Sequence, residues 1–138
     1  LGAVRLPFTI LFEDDDLFAL DKPCCLHSVR LKREGGQSVA DNLLERVSEL
    51  GGVADRSEDA GLAQRLDYET TGVMVGAKSP EMWRRLRSCL ESDECEKTYL
   101  CITDGTVPGD AWEVRGFIGS RHRGSSKATF SSYERPRY

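Results

Sequence analysis

Long apolar runs are missing from this sequence. No stretch reaches the length of a membrane-crossing helix, and no basic start followed by an apolar block marks a secretory signal. The chain begins at Leu1 rather than methionine, as an excerpt of a longer protein would, so a targeting segment ahead of it stays open. The five cysteines (Cys24, Cys25, Cys89, Cys95, Cys101) are odd in number and form no CxxC pair. That pattern argues against a zinc centre or a disulfide framework and for reduced thiols in a cytosol-like compartment. Also lacking are a glycine-rich phosphate loop, a GxSxG elbow and any pair of histidines at metal-ligand spacing. His27 and His122 lie far apart, and each reads as a surface or loop residue. There are no internal repeats and no low-complexity tract.

What is present suits one compact domain over residues 1–138, with 39% apolar residues to build a core. The net charge of -4 argues against a uniformly basic nucleic-acid binder. Its distribution is uneven, because residues 111–138 hold 2 acids against 6 bases. A basic surface of that kind attracts phosphate on an acidic protein, or it is an ordinary solvated face.

Along the chain, "FTILFED" and "LFALDKP" read as strands flanking an acidic hairpin turn at Asp14–Asp16. Ser38, with Asp41 three residues on, reads as the N-cap of a helix carrying Val39, Leu43, Val47 and Leu50 on one face and ending at Gly51-Gly52. Residues 52–61 are polar and loop-like. "GVMVGAK" is a short unbroken apolar run, as expected of a strand buried on both faces. Ser79 and Pro80 open a second helix with Trp83, Leu86 and Leu90 on its apolar face and Arg84, Arg85 and Arg87 elsewhere. "KTYLCIT", "WEVRGFI" and "KATFSSYE" read as three further strands. The expected class is α+β, with helices flanking a mainly antiparallel or mixed sheet.

Two features invite a chemical reading. Cys24 and Cys25 follow "DKP" in a turn with no evident base nearby, and they read as small packing residues. Asp67 stands in "QRLDYETTGVMVGAK", in a polar turn at the mouth of an apolar strand, with Arg65 two residues before it. By one reading the turn is structural, its Asp and Thr side chains satisfying local backbone donors. By the other, Asp67 is a carboxylate at a cleft edge, poised as a nucleophile or as the partner of a developing cation, with Arg65 helping to keep it ionised.

"QRLDYETTGVMVGAKS" resembles the signature of the RluA-type pseudouridine synthases, close to H-R-L-D-x-x-T-S-G-[LV]-[LM]-[VL]-x-A-K. "ILFEDDDLFALDKPCCLHS" is similar to the family's first pair of strands, and "CEKTYLCITDG" to its K-x-Y-x-a-x-v-x-G block. The three blocks occur in family order and cover most of residues 8–105. The resemblance implies a pseudouridine synthase fold with a central RNA-binding cleft. It also implies conversion of a uridine in ribosomal, transfer or messenger RNA to pseudouridine, with no cofactor and no metal. Asp67 matches the catalytic aspartate. Tyr99 matches the tyrosine that stacks on the uracil, although a lone strand tyrosine is otherwise a core residue. Arg65 matches the arginine that enters the space left by the flipped nucleotide.

The sequence departs from the pattern at Gln64 (usually His), Thr71 (usually Ser) and Cys25 (usually Gly). The family's "TGRxHQIRxH" block, with the basic residue that pairs with the aspartate, does not occur within these residues. The expectation is therefore a catalytic domain lacking its carboxy-terminal block, a monomer when complete, cytoplasmic or organellar, with no membrane association. The alternative is a catalytically incomplete RNA-binding module of the same fold.

Overall fold

In a computed structural model of the chain, which describes residues 6–30, 37–106, 109–111, 113, 115–120 and 128–131, the acidic turn closes a hairpin. One Asp14 carboxylate oxygen accepts the backbone N–H groups of Asp16 at 2.9 Å and Leu17 at 2.8 Å. Those bonds, Leu17's first, hold the carboxyl below its ordinary value. The turn joins β1 (Thr9–Glu13) to β2 (Leu17–Lys22). β3 (Gly72–Ala77) pairs antiparallel with the other edge of β2, giving the order β1-β2-β3.

Period-two alternation places Phe18, Leu20 and Lys22 on one face of β2, and all three are buried. Leu20 lies opposite the fully buried Met74, and Phe18 opposite Gly76. Val39, Ala40 and Leu43 of helix α1 (Val39–Arg46) complete this core, and Met82, Trp83 and Leu86 of α2 (Pro80–Glu91) pack against it. Burying each such large apolar side chain contributes roughly 1.5–3 kcal/mol.

Both helix starts are as expected. The Ser38 hydroxyl accepts the Asp41 N–H at 3.2 Å, while the Asp41 carboxylate accepts the Ser38 N–H at 2.9 Å. Ser79 caps α2 through the Met82 N–H, with Pro80 in the first turn. The end of α1 differs from the expectation of Gly51-Gly52. Val47 leaves helical geometry at φ -137°, α1 stops at Arg46, and a tighter 3₁₀ turn (Ser48–Gly52) follows. The tighter turn keeps Leu50 buried while Val47 is exposed. The polar segment after it contains a short 3₁₀ turn (Ser57–Asp59) and still buries Val53 and Ala60.

β3 is not buried on both faces. Met74 and Gly76 are buried on one face, while on the other only Ala77 at the strand's end is buried, Val75 is half-buried and Val73 is exposed. Nor do residues 97–103, "KTYLCIT", form a strand. An extended segment becomes a strand only through ladder hydrogen bonds with a neighbour, and among the described residues this one belongs to no ladder; Leu100 and Ile102 are fully exposed.

Residues 1–97 and 98–138 form two compact units. In the second, β4 (Phe117–Ser120) pairs antiparallel with β5 (Ala128–Ser131). β5 lies within the expected "KATFSSYE" segment, whereas β4 takes up only Phe117 and Ile118 of the expected "WEVRGFI" and runs on to Ser120; parts of both segments fall outside the described residues. Every described strand pairing is antiparallel, which agrees with the α+β class.

A Cβ built on Gly76 would fall within the Phe18 ring. Gly76→Ala is expected to destabilise the protein by roughly 1–3 kcal/mol through overpacking. The urea midpoint measures this, and an unchanged midpoint would mean that Phe18 moves aside freely.

Candidate active site

The segment leading to Asp67 runs beside β3. Ala77 donates its N–H to the Gly61 carbonyl at 2.9 Å, and Ala63 donates to the Val75 carbonyl at 2.9 Å. The Gln64 side-chain amide reaches the Val73 carbonyl at 3.1 Å. Gly61 adopts φ +74°, and a Cβ there would collide with the Ala77 carbonyl oxygen, so glycine is required for this approach. Gln64, at the position where histidine is usual, thus anchors the approach to β3.

Asp67 itself is held by its two neighbours. On one side, the buried Ser28 hydroxyl donates to the Leu66 carbonyl at 2.6 Å and accepts the Leu66 N–H at 3.0 Å. On the other, the Tyr68 carbonyl accepts the Cys25 N–H at 2.9 Å and the Lys22 ammonium at 3.3 Å. The turn closes through its backbone, with the Thr70 N–H donating to the Asp67 carbonyl at 3.1 Å. Among the described residues the Asp67 carboxylate makes no hydrogen bond and no ion pair, so it does not cap its own turn. It is exposed and lines a recess of about 490 Å³ together with His27, Val29, Arg65 and Tyr68. The His27 and Tyr68 rings lie 4.5 Å apart between centroids, tilted by 35°.

Lys22 is the feature that the sequence reading passed over. Its side chain is fully buried, and its ammonium donates to the carbonyls of Pro23 at 3.0 Å and Leu26 at 2.8 Å as well as Tyr68. Burial pushes the ammonium below the ordinary lysine value, while the Cys24 and Cys25 thiols and the Asp67 carboxylate act in the opposite direction. The ammonium is thus tied to the residue after the catalytic candidate and feels its charge. The only signal in the sequence was a lysine in phase with Phe18 and Leu20 on an otherwise apolar strand face.

Cys24 and Cys25 are exposed, not packed. Cys25 adopts the left-handed conformation at φ +60°, which accounts for glycine being customary there. Its thiol lies 3.4 Å from that of Cys24, and this contact, first among the causes, holds it above the usual thiol value. That is the opposite of an activated nucleophile.

Arg65 is exposed, and no ion pair joins it to Asp67. Tyr99 belongs to the second unit and is 63% exposed, so it is not a core residue there. Among the described residues no cluster of His, Cys, Asp and Glu could hold a metal ion, and no helix is long and apolar enough to cross a membrane.

Residues 16–135 match the family model described as RNA pseudouridylate synthase, and the chain belongs to this family. An uncharacterised RNA pseudouridine synthase of Aquifex aeolicus is 31% identical over 106 residues, covering 77% of this chain and 33% of that protein. The ribosomal large subunit pseudouridine synthase D of Vibrio cholerae is 32% identical over 105 residues, covering 76% and 31% respectively. The ribosomal large subunit pseudouridine synthase C of Rickettsia bellii is 30% identical over 109 residues, covering 77% and 33%. The chain thus spans about a third of the length of these curated relatives.

Lys22→Met keeps the buried stem and removes the ammonium, leaving the Pro23, Leu26 and Tyr68 carbonyls without that donor. The Tyr68 carbonyl keeps the Cys25 N–H, but the part-buried Pro23 and Leu26 carbonyls lose this donor at about 1 kcal/mol or more each, so the variant is expected to melt below the wild type. Hydrogen exchange should quicken at the Cys25 amide. Unchanged protection there would show that the clasp does not hold the Asp67 turn.

Proposed function

We propose that this protein isomerises uridine to pseudouridine in RNA, with Asp67 as the catalytic carboxylate. The observation that carries the reading is a carboxylate without hydrogen-bond or ion-pair partners among the described residues, its neighbours clamped by hydrogen bonds on both sides, lining an open recess in a chain of this family. The reaction breaks the bond between C1′ of the ribose and N1 of the base and joins C1′ to C5. The proton on C5 is lost and N1 gains one, so no net oxidation or hydrolysis occurs. That balance needs neither cofactor nor metal. A carboxylate at C1′ or at the ring meets the charge that develops as the glycosidic bond breaks.

In this reading the recess beside Asp67 is part of a central RNA-binding cleft, and both compact units belong to one catalytic domain. The match over residues 16–135, which spans both units, supports that assignment. Tyr99 stacks on the extruded uracil, and its exposure leaves the ring available. Arg65 enters the gap left in the RNA stack; flipping costs a few kcal/mol, and a guanidinium plane offsets part of that. Arg65 is free to do so because Lys22, not Arg65, supplies the standing positive charge near Asp67. Ribosomal RNA is the first substrate class to test, since two relatives are named for the ribosomal large subunit; transfer and messenger RNA follow. A monomer in the cytoplasm or an organelle completes the proposal.

In the full-length protein, Asp67→Asn is expected to abolish tritium release from 5-tritiated uridine while RNA affinity stays within about tenfold, since phosphate contacts supply most of it. Substantial turnover by the variant would remove Asp67 from this role. Equal inactivity of the wild type, with RNA still bound, would favour an RNA-binding module without chemistry.

Tyr99→Phe keeps the stacking face and Tyr99→Ala loses it. Base stacking is worth about 1–3 kcal/mol, so the alanine variant is expected to bind a trapped substrate analogue more weakly than the phenylalanine variant. Wild-type binding and turnover in both would show that Tyr99 does not touch the base.

A further inference from the structure

Arg65 stands between two recesses. One contains Asp67; the other, of about 220 Å³, lies between the residue 55–59 segment, the chain at residues 62–65 and helix α2. Its charged lining consists of Arg56, Arg65 and Arg87 with Asp55 and Asp59, and the edge of Trp83 completes it. Two of these groups brace the wall. The Trp83 indole N–H donates to the Leu62 carbonyl at 3.0 Å, and Arg87 donates to the Ala63 carbonyl at 3.0 Å while pairing with Glu91. The remaining charges have no such duty: among the described residues, the side chains of Arg56, Arg65, Asp55 and Asp59 make no hydrogen bond or ion pair.

From this arrangement we infer that the second recess is a subsite for a nucleotide flanking the target uridine in the substrate RNA. The inference rests on the proposed uridine isomerisation and extends it. Arg56 pairs with the phosphate of that nucleotide, the planar guanidinium matching two phosphate oxygens. Arg65 forms the shared wall, so a strand that places one nucleotide beside Asp67 can place a near neighbour beside Arg56. The two carboxylates would repel a bare polyanion. They accept N–H groups instead, as from the exocyclic amino group of a base edge. Adenine, cytosine and guanine carry that group, and uracil does not.

The test uses the full-length protein and a short single-stranded RNA with a central uridine, randomised flanks and a fluorescent end. Neutral methylphosphonate linkages are placed one at a time along the strand, and binding is read by anisotropy. In the wild type, one linkage near the uridine should weaken binding by roughly fivefold, as for an exposed ion pair. In Arg56→Ala protein the same linkage should be silent, and the log–log salt slope should fall by roughly 0.7. Arg56 is exposed and its side chain has no partner among the described residues, so the thermal melt should not change. Sequencing the bound pool should show uracil disfavoured at that flanking position by the wild type and tolerated by Asp59→Asn. If Arg56→Ala silences no linkage, the subsite is overturned. Tritium release by the same proteins on uridine-tritiated RNA separates the two ideas. Coupling without turnover overturns the isomerisation and supports the subsite, and turnover without coupling does the reverse.

Discussion

A single buried ammonium governs the geometry of the candidate site. Lys22 ends the core face of β2, where the alternation that buries Phe18 and Leu20 carries its charge out of water. An isolated ion there would be prohibitive. It is tolerated because three carbonyls, those of Pro23, Leu26 and Tyr68, accept from its three N–H groups. Two of them belong to the adjoining loop. The third lies far along the chain, one residue beyond Asp67. The same ion therefore shapes the loop after β2 and ties the aspartate's turn to it.

The rest of the site is built around that tie. Ser28, at the end of the same loop, holds Leu66 on the opposite side of Asp67. Cys25 adds its backbone N–H to the Tyr68 carbonyl. Asp67 is thus fixed through its neighbours' backbones, and its own carboxylate is left uncommitted. Cys25 sits at φ +60°, a conformation that is strained for a residue with a Cβ and free of strain for glycine. The backbone contact is kept, and the local conformational cost is accepted.

The division of charge follows from the same arrangement. Lys22 is fixed, solvent-excluded and close enough for the Asp67 carboxylate to stabilise its charged form. Arg65 is exposed and uncommitted between two recesses. A fixed cation suits a standing electrostatic role, and an exposed planar one suits contact with a polyanion. The overall acidity of the chain does not conflict with RNA as a partner, because these cations act locally.

Local chemistry was enough to read β1, β2, β3 and the starts of both helices. Turn carboxylates, serine caps, a proline in the first turn and period-two runs act within a few residues of themselves. The family signature around Asp67 was legible for the same reason. Elsewhere the outcome depended on distant neighbours. Val47 continued the helical pattern of α1, yet the chain tightened after Arg46 and kept Leu50 in the core. The apolar composition of β3 did not reveal that Val73 would lie on an open face. "KTYLCIT" had strand-like residues, yet no strand forms there. Lys22 read as one basic residue before a proline, because its carbonyl partner at Tyr68 is 46 residues away. By itself, then, the sequence determined the local elements and the family signature that singles out Asp67 as the candidate. Only the tertiary structure decided what holds them, since a buried charge is satisfied by whatever folding brings beside it.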